Sequence, residues 1–131
     1  MTARTAQDKA PRPGANQLHA RLATRQQPIV VGVAGDSGSG KSTYTQGLER
    51  LLGAERVSQI SLDGYHAEDR ATRRLSGRTP LDPDANHLDQ AVDHLQRLRA
   101  GEAVEIPVYD HATGRFQIGR ASCRERVCVG V

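Results

Sequence analysis

The sequence predicts an α/β fold in which an incomplete parallel sheet is flanked by helices. Three observations carry this prediction: an apolar run from Ile29 to Ala34, a glycine-rich turn directly after it at Gly35–Ser42, and a second strand-like stretch at Arg56–Leu62. Between the turn and the second strand, Thr43, Leu48, Leu51 and Leu52 recur with helical spacing, so the segment beginning near Lys41 reads as a helix.

The turn reads G-D-S-G-S-G-K-S, a complete G-x-x-x-x-G-K-[ST] phosphate-binding loop. A polyphosphate needs several aligned N–H donors at close range, and glycines at Gly35, Gly38 and Gly40 let bare backbone curl around it. Lys41 is placed to reach the outer phosphates and the Ser42 hydroxyl to ligate Mg²⁺, while the helix that follows aims its positive end at the same anion. Gly35, Asp36, Ser37, Gly38, Ser39, Gly40, Lys41, Ser42 and Thr43 are therefore the expected nucleotide-binding residues of a P-loop NTPase fold, for a nucleoside triphosphate with Mg²⁺. The plainer reading, a flexible Gly/Ser turn, leaves Lys41 unexplained. The loop alone does not separate a kinase from an ATPase or a GTPase.

The second strand, R-V-S-Q-I-S-L, delivers Asp63, Gly64, Tyr65 and His66 to its carboxyl end, the edge of an open α/β sheet where ligands sit. Residues 67–80 are polar and arginine-rich and read as a mobile loop or short helix. Leu88, Ala91, Val92, Leu95 and Leu98 recur at helical spacing with Gly101 as a stop, and this stripe is expected to be core packing. Val104–Tyr109 is extended but interrupted by Pro107, which assigns it to an edge. Tyr109, Asp110, His111 and Thr113, ending at Gly114, form a candidate ligand-facing turn.

Composition bounds the rest. A chain of 131 residues without tryptophan and with the single phenylalanine Phe116 promises a thin core. The formal charge of +3 is carried by the ends: residues 1–28 hold +4 and residues 118–131 hold +2, leaving −3 on residues 29–117. A mildly acidic body without aromatics among its basic residues argues against a nucleic-acid groove, and no apolar stretch is long enough to span a membrane. Small-molecule substrates are the expected partners. Residues 1–28 combine Pro11, Pro13 and Gly14 with polar residues and no periodicity, and are expected to be a disordered leader. A remainder without cysteine is compatible with a reducing, cytoplasmic setting.

Phosphoryl transfer to a hydroxyl needs a carboxylate beside the attacking oxygen, so Asp63 is the candidate catalytic base, acting with Lys41. His66 and Arg70 follow at helical spacing and could face the same cleft, where the forked Arg donors suit a phosphate. From spacing alone, a solvated turn in which Asp63 caps the next helix is an equal alternative.

The runs G-V-A-G-D-S-G-S-G-K-S-T, L-D-G-Y-H-A-E-D-R, L-D-P-D-A-N and P-V-Y-D-H-A-T-G together resemble the phosphoribulokinase and uridine kinase family, and within it the plant and cyanobacterial phosphoribulokinases. The likeness covers Ile29 to about Phe116. It implies transfer of a phosphoryl group from ATP to ribulose 5-phosphate, with Lys41 and Ser42 at the ATP and Mg²⁺ positions and Asp63 as base. It also implies that His66 and Arg70 contact the sugar phosphate, with Tyr109 and His111 near the acceptor. Two departures matter. Gly64 stands where the plant pattern has a second Asp, and Ser39 and Ser61 stand where plant enzymes carry regulatory cysteines, which removes that thiol switch. Uridine kinase is the nearest rival; its pattern carries an aromatic where His111 stands. A nucleotide-binding module that senses without transferring is a second.

Residues 118–131 have the look of foreign sequence. Ile118–Val127, I-G-R-A-S-C-R-E-R-V, is what a common sequencing-library adapter encodes, so residues 29–117 are the expected kinase portion and the tail an artefact that also carries Cys123 and Cys128. Resequencing the locus tests this: a native frame continuing through the same codons would refute it. The family's next strand, which ends in a Mg²⁺-holding acid and lies between the two strands identified here, is then absent. The sheet is expected to lack its middle and the chain to be unstable and inactive as written.

Overall fold

A computed structural model describes residues 13–122 and 127–130. Strand β1 (Ile29–Gly32) runs into the glycine turn, helix α2 (Lys41–Leu52) leaves it, and strand β2 (Val57–Ile60) follows. Strand period sorts the apolar side chains onto two faces. Ile29, Val31 and Val33 pack with Val57, Leu48 and Leu52 on one side, while Val30 and Ile60 turn to the other.

The sheet order is β1-β5-β2, with β5 (Val127–Gly130) between the other two and parallel to both. This corrects the expected vacancy in the middle of the sheet. Ile29 and Val57 both register with Val127, and Gly32 and Ile60 both with Gly130, so the ladders of β1 and β2 are completed through one shared strand. A short V-C-V-G segment has the composition of a strand paired on both edges, with β-branched residues, no charge and no proline. Strand propensity in these four residues is enough to fill the position whatever their origin. Residues 123–126, including Cys123, lie outside the described residues.

The expected disordered leader also needs correction over its second half. Helix α1 spans Pro13–Thr24, with proline at the first helical position, where its missing N–H costs nothing. Leu22 is buried against Leu52 and Val57, and one such anchor docks a helix whose sequence shows no clear stripe. Residues 1–12 of the leader lie outside the described residues.

On the opposite face, helix α4 (Leu88–Arg99) packs Ala91 and Leu98 with Ile60, Tyr65, Val104, Ile106 and Ala121. Part of the predicted stripe points outward: Leu88 and Val92 are each 52% exposed. His94 takes an inward position instead, its Nδ1 3.0 Å from the Tyr65 hydroxyl. Burial raises the Tyr65 pKa, which keeps that hydroxyl neutral. Gly101, at φ 87°, ends the helix as expected.

Strands β3 (Ala103–Asp110) and β4 (Arg115–Ser122) form a separate antiparallel hairpin, which agrees with the edge position that Pro107 requires. The hairpin is tied to the parallel sheet where the Ser58 hydroxyl donates to the Ser122 carbonyl at 2.6 Å. β4 thus runs through residues 118–122 without a break at Gln117, and Ala121 lies in the core.

A 3-10 turn, Leu62–Tyr65, crosses close to β3. Gly64 is buried there, and a β-carbon on it would collide with the Pro107 carbonyl group. Gly64→Ala is expected to cost about 1–3 kcal/mol by forcing the turn off the strand, a loss that a urea melt measures. An unchanged midpoint would mean that β3 yields.

Candidate active site

Gly38 and Gly40 adopt φ 77° and φ 92°, a left-handed region that side chains resist, and Gly40 stands at the head of α2. These two residues turn the loop back so that Lys41 lies over it. The Lys41 ammonium donates to the Gly35 carbonyl at 2.7 Å and to the Asp36 carbonyl at 2.9 Å. With three N–H donors, it keeps one for a further acceptor. Buried Thr45 donates its hydroxyl to the Lys41 carbonyl at 2.9 Å, which holds the first turn of α2 in place.

Two recesses meet at Lys41. One, of about 420 Å³, is open and lies over Gly35, Ser39 and Gly40. The other, of about 440 Å³, is more enclosed, and Lys41, Ser42, Asp63, Ile106, Pro107 and His111 are among the residues that line it. Lys41 and Ser42, at the end of the glycine loop, and the carboxylate at the end of the second strand therefore share one cavity, and Lys41 joins it to the recess over the glycines.

Asp63 does not cap the following helix. That role falls to Asp69, whose carboxylate accepts from the Thr72 N–H at 2.8 Å at the head of α3 (Arg70–Ser76). The backbone hydrogen bond from Thr72 is the largest of the effects that lower the Asp69 pKa. Asp63 is left free for the cleft and sits between two imidazoles: its Oδ2 lies 3.1 Å from His111 Nε2, and its Oδ1 lies 3.6 Å from His66 Nε2.

The other candidates are distributed unevenly. His111 lines the cleft, whereas His66 reaches it only behind Asp63. Arg70 directs a guanidinium nitrogen to the His111 carbonyl at 2.5 Å. Tyr109 is 8% exposed, and its hydroxyl accepts from Arg73 at 2.9 Å. Its ring meets His66, His111 and Phe116 edge-on, at centroid distances of 6.1, 4.9 and 5.4 Å. Tyr109 thus supports the two histidines from below and presents nothing to the cleft.

The turn carrying His111 is held by Asp110, which accepts from the Ala112 N–H at 2.9 Å and the Thr113 hydroxyl at 2.8 Å. The hydrogen bond from the Thr113 side chain is the chief cause that lowers the Asp110 pKa. The charged form is therefore the stabilising one, effective above the ordinary carboxylate range and lost as pH falls through the lowered value.

A β-strand, a glycine loop closed by Lys41 and a carboxylate across one cleft coincide with what sequence comparison finds. Residues 30–125 match the Phosphoribulokinase / Uridine kinase family. The chain belongs to that family. Among its relatives are the phosphoribulokinase of Synechocystis sp., 44% identical over 86 residues that make up 66% of this chain and 26% of that protein, and the chloroplastic phosphoribulokinase of Triticum aestivum, 35% identical over 87% of this chain and 32% of its own length. The uridine kinase of Chloroflexus aggregans is 42% identical over 66% of this chain and 42% of that enzyme. The chain thus spans about a quarter to two fifths of the length of these relatives. A possible uridine kinase from Bacillus stearothermophilus shares the fold with a TM-score of 0.62 at 18% identity, over 89% of this chain and 68% of that one. A kinase from Silicibacter sp. TM1040 ascribed to a fructose transport system has a TM-score of 0.68 at 22% identity, over 88% and 61%. The parallel sheet with its flanking helices is the fold of P-loop kinases, as expected.

Within this family member, sequence reasoning passed over Asn86 and Arg73. Asn86 accepts a contact from His66, and Arg73 lies 5.4 Å over the Tyr109 ring besides bonding its hydroxyl. The L-D-P-D-A-N run contains Asn86, but nothing local in it reports the imidazole that the fold brings against its side chain. Among the described residues, no group of three or more His, Cys, Asp or Glu side chains converges to hold a metal, and no helix is long and apolar enough to cross a membrane.

Proposed function

We propose that these residues form the phosphate-binding and acceptor-activating part of an ATP-dependent kinase that phosphorylates a sugar-phosphate hydroxyl, ribulose 5-phosphate giving ribulose 1,5-bisphosphate. The observation that carries this reading is the single cleft lined by Lys41, Ser42, Asp63 and His111 together. The triphosphate lies along the backbone of Gly35–Gly40 with Asp36, Ser37 and Thr43 flanking it, and Lys41 bonds the transferring phosphoryl group. Asp63 takes the proton of the acceptor hydroxyl as that oxygen attacks the terminal phosphorus, and the bond to the bridging oxygen breaks to release ADP.

The donor set fits Mg²⁺ in part. Ser42 would supply one hard oxygen to the ion in the cleft, alongside the oxygens of the bound phosphates. The ion's contribution is to neutralise phosphate charge. The acceptor's own phosphate falls to Arg70 and His111, with Tyr109 beneath them; His66, expected to join them, stands behind Asp63 with its Nδ1 turned to Asn86.

His111 favours the sugar phosphate over a nucleoside, because it stands where the uridine kinase pattern carries an aromatic against the base and offers a polar, exposed ring edge instead. Turnover is measured on the uninterrupted reading frame that contains these residues, since we propose that residues 118–131 are adapter-derived and that the chain as written turns over poorly. Side-by-side assays should give higher kcat/KM with ribulose 5-phosphate than with uridine; the reverse ranking assigns the protein to the nucleoside kinases.

A further inference from the structure

Asn86 has its amide orientation dictated by its surroundings. Its Nδ2 donates to the Pro80 carbonyl at 3.0 Å and to the Asp82 carbonyl at 2.8 Å, and carbonyls can only accept. The Asn86 oxygen therefore faces His66, 2.6 Å from Nδ1. Since that oxygen can only accept, the proton of a neutral His66 must sit on Nδ1, and its Nε2 carries a bare lone pair 3.6 Å from Asp63 Oδ1. The two segments are clamped together by backbone as well: Ala67 N–H donates to the Ala85 carbonyl at 2.8 Å and His87 N–H to the Tyr65 carbonyl at 2.7 Å.

The two sides of Asp63 are thus chemically different. On one side His111 donates Nε2–H to Oδ2, and this imidazole is 70% exposed at its side chain. On the other side, with His66 neutral, a lone pair faces a carboxylate oxygen, in keeping with their 3.6 Å separation. Once Asp63 carries a proton, the same pair becomes an O–H donor and a nitrogen acceptor, and the contact can shorten.

We propose that Asn86 is a positioning residue that fixes His66 as its Nδ1–H tautomer, so that His66 Nε2 receives the proton which Asp63 removes from the acceptor hydroxyl. The second half rests on the kinase reading; the first does not. The proton balance is complete: it leaves the hydroxyl for Asp63 Oδ1, then passes to His66 Nε2, giving an imidazolium and restoring the carboxylate. The groups that face His66 are Asp63 on its own turn, Asn86, and Tyr109 on β3, with His111 beyond Asp63 and Arg73 beyond Tyr109.

Nitrogen-15 NMR of the histidine rings in the 131-residue chain at about pH 8, above the ordinary imidazole range, reads the tautomer directly. The expected result is a proton on Nδ1 alone in the wild type and a mixture of tautomers in Asn86→Ala, which keeps the two backbone clamps. In the uninterrupted reading frame, Asn86→Ala should lower kcat about tenfold with the acceptor KM within about twofold, and His66→Asn should remove an acidic limb from the pH profile of kcat. An Nε2–H tautomer or an imidazolium in the wild type, or an unchanged tautomer in Asn86→Ala, overturns the proposal whatever the enzyme does. A correct tautomer in a protein that transfers no phosphoryl group leaves the role of Asn86 standing and overturns the relay together with the kinase reading.

Discussion

Asp63→Asn is expected to lower phosphoryl transfer by about 10²–10⁴-fold while leaving ATP affinity within about twofold. The amide keeps the shape of the side chain and can still meet His111, but it cannot take a proton from an attacking hydroxyl. The split between rate and binding is what matters. A sensing module that only holds the nucleotide would keep both its binding and its output in this variant. Steady-state release of ADP and titration of ATP, both in the uninterrupted reading frame, measure the two quantities separately. A variant that retains more than about a tenth of the rate would remove Asp63 from the chemistry.

Lys41→Ala should weaken ATP binding by about tenfold to a hundredfold, which corresponds to loss of one hydrogen bond to a charged group at about 1.5–3 kcal/mol. The ammonium bonds the Gly35 and Asp36 carbonyls as well, so the substitution also loosens the loop it spans. Calorimetric titration measures the affinity, and circular dichroism checks that α2 persists. Unchanged affinity would show that the glycine loop is not a phosphate site.

Much of this site was legible because local chemistry dictated it. The loop at Gly35–Ser42 needs left-handed backbone, an ammonium and a helix start within a few residues, and no distant contact alters that requirement. Asp63 was legible as a strand-end carboxylate, although the choice between base and helix cap turned on a neighbour, since Asp69 was available to cap α3 and freed Asp63 for the cleft. Tyr109 could not be read correctly from sequence. Its burial depends on the hairpin pairing of β3 with β4 and on Arg73 reaching across from α3, both long-range events. Asn86 escaped for the same reason: its function depends on two backbone carbonyls and an imidazole that only the folded loop brings together. The sheet was misjudged at β5 and the leader at α1, where one short apolar segment and one leucine found surfaces that periodicity does not report.

The arrangement β1-β5-β2 has a consequence for how the molecule is made. β1 and β2 share no hydrogen bonds with each other, so in the 131-residue chain as written neither parallel ladder can close until the residues near Val127 have been made. Until then the nascent chain holds two open strand edges and the apolar faces of Ile29–Val33 and Val57–Ile60 without their shared partner. One late closure over a very long loop governs assembly, which makes folding slow and leaves the waiting strands exposed to mispairing with other chains.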